Sequence, residues 1–181
     1  MTPFVILDRD GVINEDSPDY IKSPEEWIPV DGSVEAIAAL TRAGVAVYIA
    51  TNQAGVPRGK LTLTSLNSIH RKMLSQISAA GGEIREIACC LHHPDEGCEC
   101  RKPEPGMLLG LAERHELDLS TGYFVGDSTK DLEAAGAAGC QGILVLTGKG
   151  QTTLGENPDY QPVFSDLAAF VQHLLLELDR D

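Results

Sequence analysis

No stretch of this 181-residue chain approaches the roughly 20 apolar residues that a membrane-spanning helix needs. The first apolar run, Phe4-Val5-Ile6-Leu7, stops at an aspartate and is too short for the hydrophobic centre of a signal peptide. Neither leader nor anchor is therefore expected, and the expected setting is the cytoplasm. Cations are scarce as well: 14 Lys and Arg stand against 27 Asp and Glu, a formal net charge of -13. Nucleic acid and anionic membrane both demand a neutralising basic surface, so neither is expected as a partner. That scarcity makes Arg9, Arg58, Arg101, Lys102 and Lys130 more informative, because an anionic small molecule would have to find them against an unfavourable overall field. Also lacking is any helical insertion between Asp8 and Thr51 large enough for a separate cap domain. What is there, 43% hydrophobic and 23% charged residues, suits one sizeable core, a single domain over 1–181 and a monomer.

Asp8-Arg9-Asp10-Gly11 places two carboxylates one residue apart immediately after the first apolar run. In an open α/β sheet, ligands bind beyond the carboxyl ends of the strands, and alternate side chains of an extended segment share a side. One carboxylate can then attack a bound group while the other moves a proton. A second run, Val45 to Ala50, reads as a buried strand leading into Thr51-Asn52-Gln53, whose hydroxyl and amides suit phosphate oxygens. Arg101-Lys102-Pro103-Glu104-Pro105 stiffens the loop that carries two cations. Tyr123 to Gly126 is a further short strand, ending in Asp127, with Asp131 four residues on and a helix over Leu132 to Ala138.

Four strand ends carrying an acid pair, a hydroxyl, a lysine and an acid pair, in that order, resemble the haloacid dehalogenase (HAD) superfamily of phosphohydrolases across nearly the whole chain. The resemblance implies that Asp8 is the nucleophile that becomes an aspartyl-phosphate and Asp10 the general acid/base. It further implies that Thr51 binds the transferring phosphoryl group, that Lys102 neutralises it, and that Mg2+ is held by Asp8, Asp127 and the Asp10 backbone carbonyl, with Asp131 in support. Charge considerations agree, since an anionic ester repels an attacking carboxylate unless cations intervene.

Cys90-Leu91-His92 and Cys98-Glu99-Cys100 supply four soft ligands at x-spaced positions, enough to close a tetrahedral structural Zn2+ site directly before Arg101 and Lys102. Cys89 and His93 are the rival ligands, and a disulfide or free thiols the alternative. With Cys-Arg-Lys-Pro-Glu-Pro-Gly-Met after it, this loop resembles one small group in the superfamily, the D-glycero-D-manno-heptose 1,7-bisphosphate phosphatases of lipopolysaccharide synthesis and the histidinol-phosphate phosphatases. Gly55-Val56-Pro57-Arg58-Gly59 and the flap Asp16-Ser17-Pro18-Asp19-Tyr20 lean toward the former. The resemblance implies a small-molecule sugar bisphosphate gripped by Asp16, Tyr20, Asn52, Gln53, Arg58 and Arg101.

Helical periodicity at Val34/Ile37/Ala38, Leu66/Ile69/Met73/Ile77, Met107/Leu108/Leu111 and Leu167/Phe170/Val171/Leu174/Leu178 alternates with the strands. The expected fold is therefore α/β, a three-layer Rossmann-like, mainly parallel sheet with helices on both faces, little or no cap, and a small zinc loop. Thr147 to Pro162 reads as a loop, and His70, His115, His173, Trp27 and Cys140 as packing or surface residues. A phospho-accepting receiver domain, a regulatory switch built from similar residue types, is the alternative of another class. Its phosphorylated Asp lies mid-chain after the acid pair, whereas here the pair comes first. A zinc-stabilised scaffold with a dead site is disfavoured because both Asp8 and Asp10 are present.

Overall fold

The computed structural model describes residues 3–180. Phe4–Leu7 forms β1 with all four residues buried, and a strand with no polar alternation needs cover on both faces. It finds that cover near the middle of a six-stranded sheet of order β3-β2-β1-β4-β5-β6, in which every neighbouring pair is parallel. The remaining strands are β2 (Ala46–Asn52), β3 (Glu86–Cys90), β4 (Tyr123–Gly126), β5 (Gln141–Val145) and β6 (Val163–Phe164). Parallel neighbours need crossovers. These contain α1 (Ser33–Arg42), α2 (Leu63–Ala79), α3 (Gly106–His115), α4 (Thr129–Ala138) and α5 (Gly150–Glu156), and α6 (Leu167–Leu178) follows the last strand.

Strand side chains alternate between faces and so build two cores. Val5, Leu7, Val47, Ile49 and Val125 pack with Ile37, Ile69 and Phe170 of α1, α2 and α6. Phe4, Ile6, Tyr48 and Phe124 pack with Leu108, Leu111 and Ala134 of α3 and α4. The periodic helix positions are buried, with the exception of Leu178, which is exposed at the end of α6.

Register decides where the chemistry falls. Leu7 pairs with Ile49 on one side and Val125 on the other, so three strands end nearly in step and Asp8, Thr51 and Asp127 emerge at one edge. No cap domain is evident among the described residues. The segment after β1 is a flap with a 3-10 turn at Pro24–Glu26, and it is tied down by its fully buried Trp27. Lys72 of α2 donates to the carbonyls of Pro24 (2.6 Å) and Trp27 (2.9 Å), fixing the flap's base.

Three local expectations need correction. β2 continues through Thr51 and Asn52, because both pair with β3. α4 starts at Thr129 rather than Leu132, which puts Asp131 in its first turn as a capping residue and leaves Asp127 outside the helix. The Gly-rich stretch after Leu146 is not all loop: α5 lies within it, anchored by Thr153 Oγ1 donating to the Asp127 carbonyl at 2.8 Å. That tertiary bond overrides weak local propensity.

Candidate active site and metal centres

Asp8 follows β1 directly, and its backbone N–H donates to Val125 O at 2.9 Å, which locks the residue between two strands. Its Oδ1 accepts from the Arg9 backbone N–H (2.8 Å) and from Lys102 Nζ (2.9 Å). Burial, with the charge of Asp131 nearby, raises the Asp8 carboxyl well above its ordinary pKa. Lys102 is buried, and its three ammonium protons are spent on Asp8, Asp131 (2.7 Å) and the Ala50 carbonyl (2.9 Å). Burial would lower its pKa, but the two carboxylates win and raise it. Asn52 holds this lysine's backbone from both ends, donating to Lys102 O at 3.0 Å and accepting from Lys102 N at 3.1 Å.

Asp10 has a different environment. Burial acts to raise its carboxyl, yet the Arg9 guanidinium and hydrogen bonds from Asn14, Arg9 and Gln53 hold it below the ordinary range. Gln53 Nε2 donates both to Asp10 Oδ2 (3.0 Å) and to Thr51 Oγ1 (2.9 Å), leaving the threonine O–H free to donate elsewhere. The two carboxylates thus stand in different surroundings, Asp8 against a buried ammonium and Asp10 against a guanidinium and two amides.

Asp8, Asp127 and Asp131 bring carboxylate oxygens within 4.8 Å of one another, close enough to share a metal ion. Asp131 is already committed, one oxygen to Lys102 and the other to Ser128 Oγ and the backbone N–H groups of Asp127 and Ser128. Asp8 and Asp127 are the carboxylates left for a cation. Burial and the Asp131 charge push Asp127 up to about 7, so the pair is short of positive charge. Gly11 (φ +84°) and Gly148 (φ +56°) press against Asp127, and a Cβ at either would overlap its Oδ2. An oxygen-lined, sterically reserved pocket of this kind suits Mg2+.

The second centre lies between β3 and α3. Four ligands at about 2.3 Å from a tetrahedral zinc would stand roughly 3.8 Å apart. Cys90 Sγ lies 3.7 Å from Cys98 Sγ, 3.2 Å from Cys100 Sγ and 3.7 Å from His92 Nδ1, and Cys98 and Cys100 are 3.6 Å apart. The four atoms thus enclose a space of the right size, and none of the cysteines is in a disulfide. The rivals are occupied elsewhere. His93 Nδ1 accepts from Asp95 N–H in a capping box, and Cys89 faces the opposite core. If zinc fills this cluster, purified protein should contain about one zinc per chain, and Cys98→Ser/Cys100→Ser should lower kcat/KM some 10- to 100-fold by loosening the Lys102 loop. Elemental analysis and a Mg2+ titration that fails to restore activity check both parts.

The substrate-side candidates spread around a cleft of 410 Å³ lined by Asp8, Asp10, Asp16, Tyr20, Asn52, Arg101 and Asp127, among others. Arg101 presents a buried Nη1 with no hydrogen-bond partner among the described residues. Arg58 is exposed and donates to Tyr20 Oη at 3.0 Å, closing the flap onto the following loop. Gln53 is buried, with its amide turned to Thr51 and Asp10. Sequence reasoning missed two contributors. Arg9, expected as a cation available to the substrate, is instead fully buried and paired with Asp10 at 2.8 Å. Lys149 lies 3.6 Å from Asp16 across the cleft mouth, and its N–H donates to Asp127 at 2.8 Å; only the fold brings them together.

A HAD-hydrolase-like family model matches residues 99–170. Beyond that segment, a D-glycero-beta-D-manno-heptose-1,7-bisphosphate 7-phosphatase of Pseudomonas aeruginosa is 52% identical over 173 residues, covering 95% of this chain and 97% of the relative. The chain belongs to that family of HAD-like phosphatases. A Pseudomonas putida member is 51% identical over 95% of this chain and 99% of its own length. The crystal structure of the Bordetella bronchiseptica D,D-heptose 1,7-bisphosphate phosphatase, complexed with magnesium and phosphate, superposes with a TM-score of 0.94 at 48% identity, covering 97% of this chain and 99% of that one. The chain is thus a phosphoric monoester hydrolase, and the receiver-domain alternative falls. No helix among the described residues is long and apolar enough to cross a membrane.

Proposed function

We propose that the whole 181-residue chain acts as one catalytic domain, a cytoplasmic monomer that removes the 7-phosphate of D-glycero-D-manno-heptose 1,7-bisphosphate through an aspartyl-phosphate. The observation that carries this reading is the pair of carboxylates at the end of β1, with Asp8 held against Lys102 and Asp10 placed by Arg9 and Gln53. Family membership at about half identity supplies the substrate. An Asp8 oxygen bonds to phosphorus as the ester P–O bond breaks, and Asp10, which enters this step as the neutral acid, delivers its proton to the departing sugar alkoxide. Asp10 then takes a proton from water as that water attacks phosphorus, releasing phosphate and regenerating Asp8. Thr51 Oγ1 donates to a phosphoryl oxygen while Lys102 keeps the nucleophile placed and the charge low. Mg2+, bound through Asp8, Asp127 and the Asp10 carbonyl, supplies further neutralisation of charge in the displacement. Zn2+ in the Cys90/His92/Cys98/Cys100 cluster keeps the Arg101/Lys102 loop rigid.

In this reading the unpaired Nη1 of Arg101 anchors the sugar's distal phosphate beside Asp16, Tyr20 and Asn52, while Arg58 steadies Tyr20 and Gln53 orients Asp10 and Thr51. The test is kcat/KM for the heptose bisphosphate beside histidinol phosphate, in wild type and Arg101→Ala. Wild type should prefer the bisphosphate. Arg101→Ala should lose roughly 10- to 100-fold on it, and much less on histidinol phosphate, because a charge-assisted hydrogen bond is worth about 1.5–3 kcal/mol. A preference for histidinol phosphate would overturn the substrate assignment.

A further inference from the structure

Arg9 is the second-largest fully buried side chain among the described residues, a charged group where apolar ones are the rule. Its Nε and Nη2 grip Asp10 Oδ1 at 3.0 and 2.8 Å. Its third edge, Nη1, meets His70 Nε2 of α2 at 3.1 Å. A guanidinium has only donors, so His70 must accept here as the neutral imidazole with its proton on Nδ1. We infer that His70 is a positioning residue for the phosphatase reaction: it fixes the Arg9 guanidinium, which saturates Asp10 Oδ1 and leaves Oδ2 as the oxygen that carries the proton.

The hydrogen-bond arrangement around Asp10 supports this division. Oδ1 accepts three donors, two from Arg9 and one from Asn14 Nδ2 at 2.9 Å, whereas Oδ2 accepts one, from Gln53. The Asp10 side chain is 25% exposed, so one oxygen can reach the cleft while the other is locked. Burial and the Arg9 charge also push His70 down to about 4, which keeps it an acceptor throughout the physiological range. His70 does not line the cleft, and its hydrogen bond to Arg9 is its link to Asp10. Without it, a buried N–H of a charged group loses its partner, and the guanidinium can turn away from Asp10 to find another.

The inference rests on Asp10 being the general acid, and the experiment separates the two. With Mg2+-loaded enzyme, kcat/KM is measured on heptose bisphosphate, whose alkoxide leaving group needs a proton, and on 4-nitrophenyl phosphate, whose phenolate does not. Asp10→Asn should lose far more on the sugar than on the aryl ester, and an equal loss would sink the general-acid reading itself. With that control in place, His70→Ala should lose about tenfold on the sugar phosphate and under about threefold on the aryl ester. His70→Gln, which keeps an acceptor, should recover most of the loss. His70→Phe fills the volume without an acceptor and replaces the alanine variant should that one not fold. Equal losses on both substrates, no loss at all, or no recovery in His70→Gln would each overturn the positioning role while leaving Asp10's intact.

Discussion

Asp8→Asn should lower kcat by at least about a thousandfold on both heptose bisphosphate and an aryl phosphate, with the fold unharmed. The amide keeps the shape of the carboxylate, and its Oδ1 can still accept from Arg9 N–H and Lys102. It cannot form the acyl phosphate. The wild-type carboxylate is strained electrostatically, since burial and the neighbouring Asp131 disfavour its charge. Removing that charge should therefore leave Tm unchanged or raise it, the familiar exchange of activity for stability at a catalytic position. Steady-state kinetics and a melting curve read both halves. A variant that kept more than about a hundredth of wild-type kcat would remove Asp8 from the nucleophile's role.

Lys102→Met is the change with the largest expected cost to the fold. It keeps an apolar stem of similar length but deletes the ammonium, whose Nζ lies 5.3 Å from the centre of the Phe124 ring and pairs with both Asp8 and Asp131, each of them buried. Breaking a buried ion pair by removing one partner costs about 3–5 kcal/mol, because the remaining charge stays without compensation. The pH dependence has a definite sign. In wild type the Asp131 carboxyl is held low in the folded state, the lysine outweighing burial, so its contribution is present above the ordinary aspartate pKa and lost as pH falls. In the variant the folded-state carboxyls become better proton acceptors than the unfolded ones, so acidification stabilises the fold relative to neutral pH. The stability deficit between wild type and Lys102→Met, measured by denaturant unfolding without added Mg2+, should thus shrink as pH is lowered toward 5. A deficit that stayed constant with pH would mean that packing, not charge, makes the difference. Activity should be lost along with stability.

β1, β2 and β4 were legible in the sequence because parallel strands covered on both faces appear as unbroken apolar runs, whereas β3 and β6 at the sheet's edges, mostly half-buried, carry no such run. The acid pair, Thr51, Lys102 and the cysteine–histidine cluster were legible too, because strand ends in an open α/β sheet converge and the chemistry uses few residue types. Arg9 was not. A charged residue between two aspartates looks solvated until a histidine 61 positions away is found behind it. Lys149 and α5 escaped for a related reason: Gly150–Glu156 has little helical propensity, and its placement depends on hydrogen bonds to Asp127, which no local pattern reveals. Arg58 was read as a cation that grips the substrate, and nothing local to it shows that its hydrogen-bond partner, Tyr20, lies on the flap 38 residues earlier.

The meeting of Gly11 with Gly148 bears on the order in which this enzyme matures. Thr147 Oγ1 donates to the Gly11 carbonyl at 2.6 Å across 136 positions of chain, and Asp8 N–H is paired with Val125 on the strand that arrives fourth. A ribosome delivers the nucleophile well over 100 residues before the residues that enclose it. Until β4 is synthesised, β1 has a bare edge and Asp8 faces solvent with neither Asp127 nor Lys149 beside it. Contacts between such distant parts of a chain form late, because their loop-closure cost comes before any gain. Catalytic competence is thus confined to a polypeptide that has been extended past Lys149, and a nascent chain stalled before Thr147 would carry the attacking carboxylate without a finished place for its metal.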